Sequence, residues 1–491
     1  MCKAGQFRRR FGAVSISAAL AGGIGLGGLA CGKNLENVDA KSSAPRPNVV
    51  FILADDLGYG DLSCLGQTNF TTPNIDRLAS SGMILTSHYA GAPVSAPSRC
   101  VLMTGQHTGH ATIRHNRAKG IKLPKGQELA IHPEQITLGE VMHNAGYQTT
   151  AIGKWGLGSP TSDSAAHKQG FDSFFGYRSQ GEAHFYYPPI LVENDRNITY
   201  KNNLGNEGDV YSHDLFETRA LDYIRERDKA KPFFMYLALT LPHASLDVPE
   251  EYSKPYENEF TGKPYKGRHY KSHEKPFPVF IGMIQRLDKT VGLIIDELEK
   301  QGISQNTIIV LTSDNGPHKE GGADPEFFNS NGEYEGIKRD LLEGGIRMPT
   351  IVSWPNTISA NTKSDVPSAF WDWMPTFCDI TSQQVPDAVD GQSLIPVFAG
   401  QKPKSLSQRP LYWEFYYTHG GQQAVRIGHW KGYRKNISKD PNSPWQLFDL
   451  NNDPQEQNDL SKQYPDIVKQ ITEVAKREHT PNKYWQIKTT E

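Results

Sequence analysis

Ser95 stands two residues before Pro97 in Pro-Val-Ser-Ala-Pro-Ser-Arg-Cys-Val-Leu-Met-Thr-Gly, residues 93–105. Proline suits the first turn of a helix and Gly105 supplies a stop, so the run predicts a helix with Ser95 at its N-terminus. Free backbone N–H groups and the positive end of the helix dipole favour an anion there, and Arg99, one turn on, can face the same spot. Taken alone, a Ser-x-Pro of this kind reads as an N-cap serine. A second set, Asp55, Asp56, Asp314 and Asn315, offers oxygen ligands with no His or Cys among them. Such a set suits a hard cation, calcium or magnesium, better than zinc.

These residues sit where strands are expected to end. Val49 to Leu53 is a continuous apolar run, as for a strand buried on both faces, and it stops at Ala54-Asp55-Asp56. A strand over 147–152 runs into Gly153-Lys154-Trp155, and one over 233–239 into Pro242-His243. An amphipathic helix from about 281 to 300, closed by Gly302, precedes a strand over 307–312 that ends in Ser313-Asp314-Asn315-Gly316. Helix alternating with apolar strand predicts an α/β fold, a doubly wound and mostly parallel sheet whose ligands bind beyond the carboxyl ends of the strands. One carboxylate at a strand end is usually a cap or turn residue. Four polar strand ends along one sheet edge are harder to explain that way.

A glycine-rich stretch follows, with His318, Asp324, Lys338 and Glu343-Gly344-Gly345-Ile346-Arg347-Met348-Pro349, then a strand over 350–354. Pro386, Pro396 and Gly400 break the pattern and mark a boundary near 385–405. Beyond it the alternating segments near 411–415, 424–427 and 445–449, with a last helix over 465–478, predict a smaller C-terminal α+β domain, an antiparallel sheet plus a helix. The expected organisation is an export segment over 1–31, a flexible tether over 32–46, a catalytic domain over 47–400 and a C-terminal subdomain over 401–491.

The formal net charge of −2 gives no sign of a polyanion-wrapping surface, so nucleic acid is not an expected partner. The five cysteines show neither close pairing nor zinc spacing. Lys3 and Arg8-Arg9-Arg10 precede an apolar run to Ala30, a basic n-region followed by an h-region. Its glycines make it a poor membrane span. Gly28-Leu29-Ala30-Cys31 resembles a bacterial lipobox, which implies export to the periplasm or an outer-membrane lipoprotein with lipid on Cys31 as the link to a membrane.

Ser95-Ala96-Pro97-Ser98-Arg99 with Leu102, Thr104 and Gly105 resembles the signature of the type I sulfatases of the alkaline phosphatase superfamily. In that family the first position is oxidised after synthesis to formylglycine, so the resemblance implies that Ser95 is a precursor. A serine sulfate ester would be a slow dead end, whereas a hydrated aldehyde attacks with one hydroxyl and expels sulfate with the other. Serine rather than cysteine here implies maturation by an anaerobic radical formylglycine-forming enzyme. By the same resemblance Asp55, Asp56, Asp314, Asn315 and the oxidised Ser95 hold calcium, with magnesium the lesser expectation. Arg99 and Lys154 attend the hydrate, Lys338 binds sulfate and His243 lies near the leaving oxygen.

One position departs from the pattern. The family motif commonly reads Gly-Lys-Trp-His-Leu-Gly, and Gly156 stands where that histidine would be. The histidine is usually given the role of base that helps expel sulfate, and His107 and His110 are candidates to replace it by sequence proximity alone.

The phrases around Gly181-Glu182-Ala183-His184 and Thr108-Gly109-His110-Ala111-Thr112-Ile113-Arg114 are similar to bacterial arylsulfatase-like enzymes that desulfate polysaccharides. The implied partner is a sulfated glycan of galactose or N-acetylgalactosamine type, with His110, Arg114, His184, His318 and Asp324 as candidate substrate contacts. A phosphonate monoester or phosphodiester hydrolase of the same superfamily, or a degenerate glycan-binding lipoprotein, are the alternatives. Two-zinc members carry Asp-His where this chain has Asp314-Asn315.

Overall fold

The structure is a computed structural model that describes residues 46–118, 123, 128–205 and 207–487. The expected export segment, nearly all of the tether and Cys31 lie outside those residues. No helix among the described residues is long and apolar enough to cross a membrane.

In chain order the strands are β1 (Asn48–Asp55), β2 (Met83–Leu85), β3 (His88–Tyr89), β4 (Gln148–Gly153), β5 (Ser173–Gly176), β6 (Ile190–Glu193), β7 (Arg196–Thr199) and β8 (Phe233–Pro242). They continue as β9 (Thr307–Ser313), β10 (Ile351–Ser353), β11 (Thr362–Ser364) and β12 (Ser368–Ala369), then β13 (Pro410–Phe415), β14 (Gln422–Ile427), β15 (Trp430–Lys435) and β16 (Gln446–Asp449). Ten of them form one sheet in the order β11-β2-β10-β9-β1-β8-β4-β5-β6-β7.

The centre of that sheet, β9-β1-β8-β4-β5, is parallel, as the alternating pattern predicts. Its flanks are not: β10 runs antiparallel to β9 and β2, and β6 and β7 pair antiparallel at the far edge. The antiparallel β10 has a consequence for function. A parallel return needs a crossover to the other end of the sheet. Because β10 runs back along β9, residues 314–350 begin and end at the carboxyl edge, which returns Lys338 to the strand ends.

Every residue of β1 is buried, and its side chains divide between two cores. Val49, Phe51 and Leu53 face helices Ser95–Thr104, Leu138–Asn144 and Trp373–Thr381, while Val50, Ile52 and Ala54 face helices Pro73–Ser80, Ser212–Glu226 and Pro276–Lys300. Period-two alternation between two apolar layers is what a continuous hydrophobic strand encodes. Burial of each large aliphatic side chain stabilises by roughly 1.5–3 kcal/mol. The long helix begins at Pro276, five residues before the expected start, because Pro276 and Pro278 occupy its first turn where no N–H is needed.

The C-terminal sheet runs β13-β14-β15-β16, antiparallel throughout. Tyr412, Val425 and Leu447 pack on helix Pro465–Glu478, while Leu411, Trp413 and Phe415 point the other way into the core of the large sheet. A buried ion pair pins the junction, with Lys431 of β15 2.9 Å from Glu343. Glu343 also accepts from the Tyr89 hydroxyl at 2.5 Å and pairs with Arg347 at 3.1 Å, so the Glu-Gly-Gly-x-Arg-x-Pro run holds these layers together.

Candidate active site

Ser95 is the first residue of helix Ser95–Thr104, with Val94 at the cap position and no side-chain cap bond. The N-cap reading of this serine is therefore wrong, and the reason is tertiary. Its hydroxyl donates instead to Asp55 Oδ1 at the end of β1, 3.0 Å away. The whole helix is buried, which fixes its tip against the strand ends.

The other strand-end residues gather at the same place. Lys154 Nζ lies 2.6 Å from Asp55 Oδ2. Arg99 Nε donates to Asp314 Oδ2 at 2.9 Å and Nη1 to the Lys154 carbonyl at 2.8 Å. Arg99 Nη2 is also 2.9 Å from Asp314 Oδ2, an ion-pair contact whose angle is not that of a hydrogen bond. Asn315 Nδ2 donates to Asp56 Oδ1 at 2.6 Å, and Lys338 Nζ to Asp56 Oδ2 at 2.7 Å. His243 Nε2 is 3.5 Å from the same Asp56 oxygen. Asp56 takes a left-handed backbone, φ 66°, the sparsely used conformation that clusters where a side chain must be aimed.

Burial and the charge on Asp55 push the Asp314 carboxyl up to about 7. Burial acts on Asp55 too, yet Lys154, Arg99 and Lys338 bring it well below the usual carboxylate range. Lys338 loses solvation, but Asp56 and Glu320 hold its ammonium above the ordinary lysine value, so it stays protonated. Burial, then the Lys338 charge, keeps His243 well below the ordinary imidazole value and neutral.

The donor set fits a hard divalent cation. Asp55, Asp56 and His243 offer ligand atoms within 4.8 Å of one another. Asn315 Oδ1 is buried with no hydrogen-bond partner among the described residues, an acceptor that ordinarily costs about 1–3 kcal/mol to leave unmet. Carboxylates and cations are otherwise nearly paired off, so an arriving anion needs further positive charge there.

The candidate substrate contacts divide. The His184 ring stacks on His243 at 4.7 Å, and His318 lies 6.0 Å from His243 with Nε2 3.1 Å from the Pro242 carbonyl. The other candidates are engaged elsewhere. His110 Nδ1 is 2.8 Å from Asp390, and Asp324 caps helix Pro325–Phe328 by accepting from Phe327 N. Arg114 is corrected outright: it is buried, and its guanidinium donates to Ala111, Glu414 and Thr480. A guanidinium committed to these partners ties the loop after the Ser95 helix to the C-terminal region. His107 likewise faces Glu478 at 3.2 Å.

A family model described as Sulfatase matches residues 47–383. The chain belongs to the sulfatase family. It is accordingly a sulfuric ester hydrolase. A second model, N-sulphoglucosamine sulphohydrolase, C-terminal, matches residues 332–480 of this sulfatase. The sulfatase is 31% identical to N-acetylgalactosamine-6-sulfatase of Canis lupus familiaris over 412 residues, 80% of this chain and 72% of that protein. It is 27% identical to Steryl-sulfatase of Homo sapiens, over 89% of this chain and 88% of that protein. Among solved structures it resembles Ps i-CgsB in complex with k-i-k-neocarrahexaose, with TM-score 0.75 and 26% identity, covering 90% of this chain and 95% of that one.

Three residues outside the motifs stand out in the structure of the sulfatase. Glu320 lies 3.3 Å from Lys338 and also pairs with Arg339. Burial opposes its charge, but Lys338 leads the cations that bring it down to about 2. Its place two residues after His318 in a glycine-rich stretch was the available signal. Gln180 fills the space beside Gly156: a Cβ there would meet Gln180 Nε2 at 2.6 Å, and that Nε2 is buried with no partner among the described residues. Glu128 accepts the backbone N–H groups of Gln180 at 2.7 Å and Gly158 at 3.3 Å, and no pattern around it marks this role.

Proposed function

We propose that this sulfatase removes sulfate monoesters from a sulfated carbohydrate of galactose or N-acetylgalactosamine type, using formylglycine made from Ser95 and a calcium ion held by Asp55, Asp56, Asp314, Asn315 and the oxidised Ser95 side chain. The observation that carries this is the Ser95 hydroxyl 3.0 Å from Asp55 at a buried helix tip ringed by Arg99, Lys154, Lys338 and His243. The carbohydrate class is supported by the likeness to N-acetylgalactosamine-6-sulfatase and to a structure holding neocarrahexaose.

The ion would supply positive charge for the sulfate oxygens. The hydrated aldehyde would supply a nucleophile that can release sulfate after the ester bond breaks. The remaining work falls to side chains already in position. Arg99 and Lys154 bracket Asp55, the residue that holds the Ser95 side chain, and keep its carboxylate charged. Lys338 is protonated, and in a dry site its charge offsets that building on the sulfuryl group; it is also the group able to donate a proton to the departing alkoxide. Lys338 carries the charge, while His243 beside it stays neutral.

Maturation by an anaerobic radical enzyme, export through residues 1–31 and a lipid on Cys31 belong to the same reading. Peptide mass spectrometry of active protein tests it: the Ser95 peptide should be lighter by two hydrogens. Active protein with intact serine at 95 defeats the formylglycine proposal. Comparing a matched aryl sulfate with an aryl phosphodiester separates the phosphodiesterase alternative, which gains if the diester turns over faster.

A further inference from the structure

A cavity of about 570 Å³ opens between the loop after the Ser95 helix, the C-terminal sheet and the segment 483–486. Its walls include His115, Arg117, Tyr417, Lys483, Tyr484 and Trp485. The rings of His115 and Tyr417 stack at 5.0 Å and 24°, and Tyr417 is 61% exposed, so a broad aromatic face is presented to solvent. Trp485 is buried behind it and its indole N–H donates to the Arg117 carbonyl at 3.2 Å, which fixes the wall. Burial holds His115 below the ordinary imidazole value, so this ring stacks uncharged.

The cavity is also basic. Lys483 Nζ lies 4.6 Å from the Tyr484 ring centre. Among the described residues neither Lys483 nor the Arg117 guanidinium has a carboxylate partner. Aromatic faces with a few polar groups, in a volume of roughly 300–1,000 Å³, are what a small-molecule pocket requires.

Both walls are fastened to neighbours of the active-site residues. Asn116, between His115 and Arg117, accepts the backbone N–H of Ala96 at 3.0 Å, one residue from Ser95. Thr418, next to Tyr417, donates to the Arg339 carbonyl at 2.7 Å, one residue from Lys338. The cavity and the Ser95 tip are thus joined by two short connections, Ala96 to Asn116 and Arg339 to Thr418.

We propose that this cavity is a second saccharide subsite: it takes a sugar ring of the same sulfated glycan, stacked on Tyr417 and His115, with a sulfate or carboxylate of that ring facing Arg117 and Lys483. The proposal rests on the carbohydrate reading above and adds to it that the substrate is an oligosaccharide held at two places. Pyranose faces stack on aromatic rings through their C–H groups, and the cations Arg117 and Lys483 select an anionic ring over a neutral one.

Calorimetry on protein left unmatured at Ser95 tests this without turnover, using chondroitin 6-sulfate tetrasaccharide, its unsulfated counterpart and a κ-carrageenan hexasaccharide. The expected result is binding of at least one sulfated oligosaccharide, weakened about tenfold by Tyr417→Ala and also by Arg117→Ala with Lys483→Ala. In matured protein the same variants should leave hydrolysis of p-nitrophenyl sulfate unchanged. No binding of either sulfated oligosaccharide, binding indifferent to Tyr417→Ala, or an equal loss on p-nitrophenyl sulfate each overturns the subsite. Absence of sulfate release from any ester counts against the function proposed above and leaves the binding result standing.

Discussion

Ser95 and Asp55 meet at 3.0 Å across a separation of 40 residues, hydroxyl to carboxylate, with Lys154 holding the carboxylate's other oxygen at 2.6 Å. The carboxylate is thereby kept charged and turned toward the helix tip, and it places the Ser95 side chain. Ser95→Ala removes one hydrogen bond from the fold but the precursor of the nucleophile from the chemistry. Sulfate release should fall by on the order of a millionfold, with the melting temperature nearly unchanged.

Asp56 takes a bond from Asn315 and a cation from Lys338 in a buried site. Asp56→Asn should reduce calcium retained after gel filtration, by elemental analysis, and lower kcat by about 100-fold or more. Chelator treatment of the wild type should reproduce the loss, with calcium restoring activity where zinc does not. Retention of a full calcium equivalent by the variant would remove Asp56 from the ligand set.

Gly156 has φ 77°, and a Cβ there would meet Gln180 Nε2 at 2.6 Å. Gly156→Ala should cost about 1–2 kcal/mol from the left-handed backbone alone. It should also displace Gln180, so kcat/KM should fall further than the stability loss explains. Gln180→Ala should lower kcat/KM about tenfold with little change in stability, because the amide donor beside Gly156 is lost.

Arg114 is tied to Glu414, and both side chains are buried. Arg114→Ala should destabilise by about 3–5 kcal/mol by leaving Glu414 short of a partner. Its KM for a sulfated oligosaccharide, measured well below the lowered melting point, should match the wild type. A raised KM at full stability would return Arg114 to the substrate contacts.

Burial pushes the Glu128 carboxyl from an ordinary 4.5 up to about 7. The folded state then holds a proton that the unfolded chain has released, so this group's contribution to stability declines as pH rises from 4.5 to 7 and levels off above. Glu128→Gln keeps a neutral side chain throughout. Denaturant midpoints should show the wild type losing ground to the variant between pH 5 and pH 7.

Local sequence specifies the central strands and their polar ends, because a run such as Val49–Leu53 can only be satisfied between two apolar layers and Asp55-Asp56 cannot stay within it. It also marks the Ser95 helix, through the local chemistry of Pro97 and Gly105. The remainder depends on contacts between distant segments. The antiparallel return of β10 keeps the 314–350 connection at the carboxyl edge and delivers Lys338 and Glu320, neither placed by local periodicity. Arg114 reads as a substrate contact until the C-terminal region closes over it, and Gln180 gains meaning only where the absent side chain of Gly156 leaves it room. Residue order sets local conformation and burial, whereas the partner of a buried charge is chosen by whichever segment the fold brings within hydrogen-bond reach.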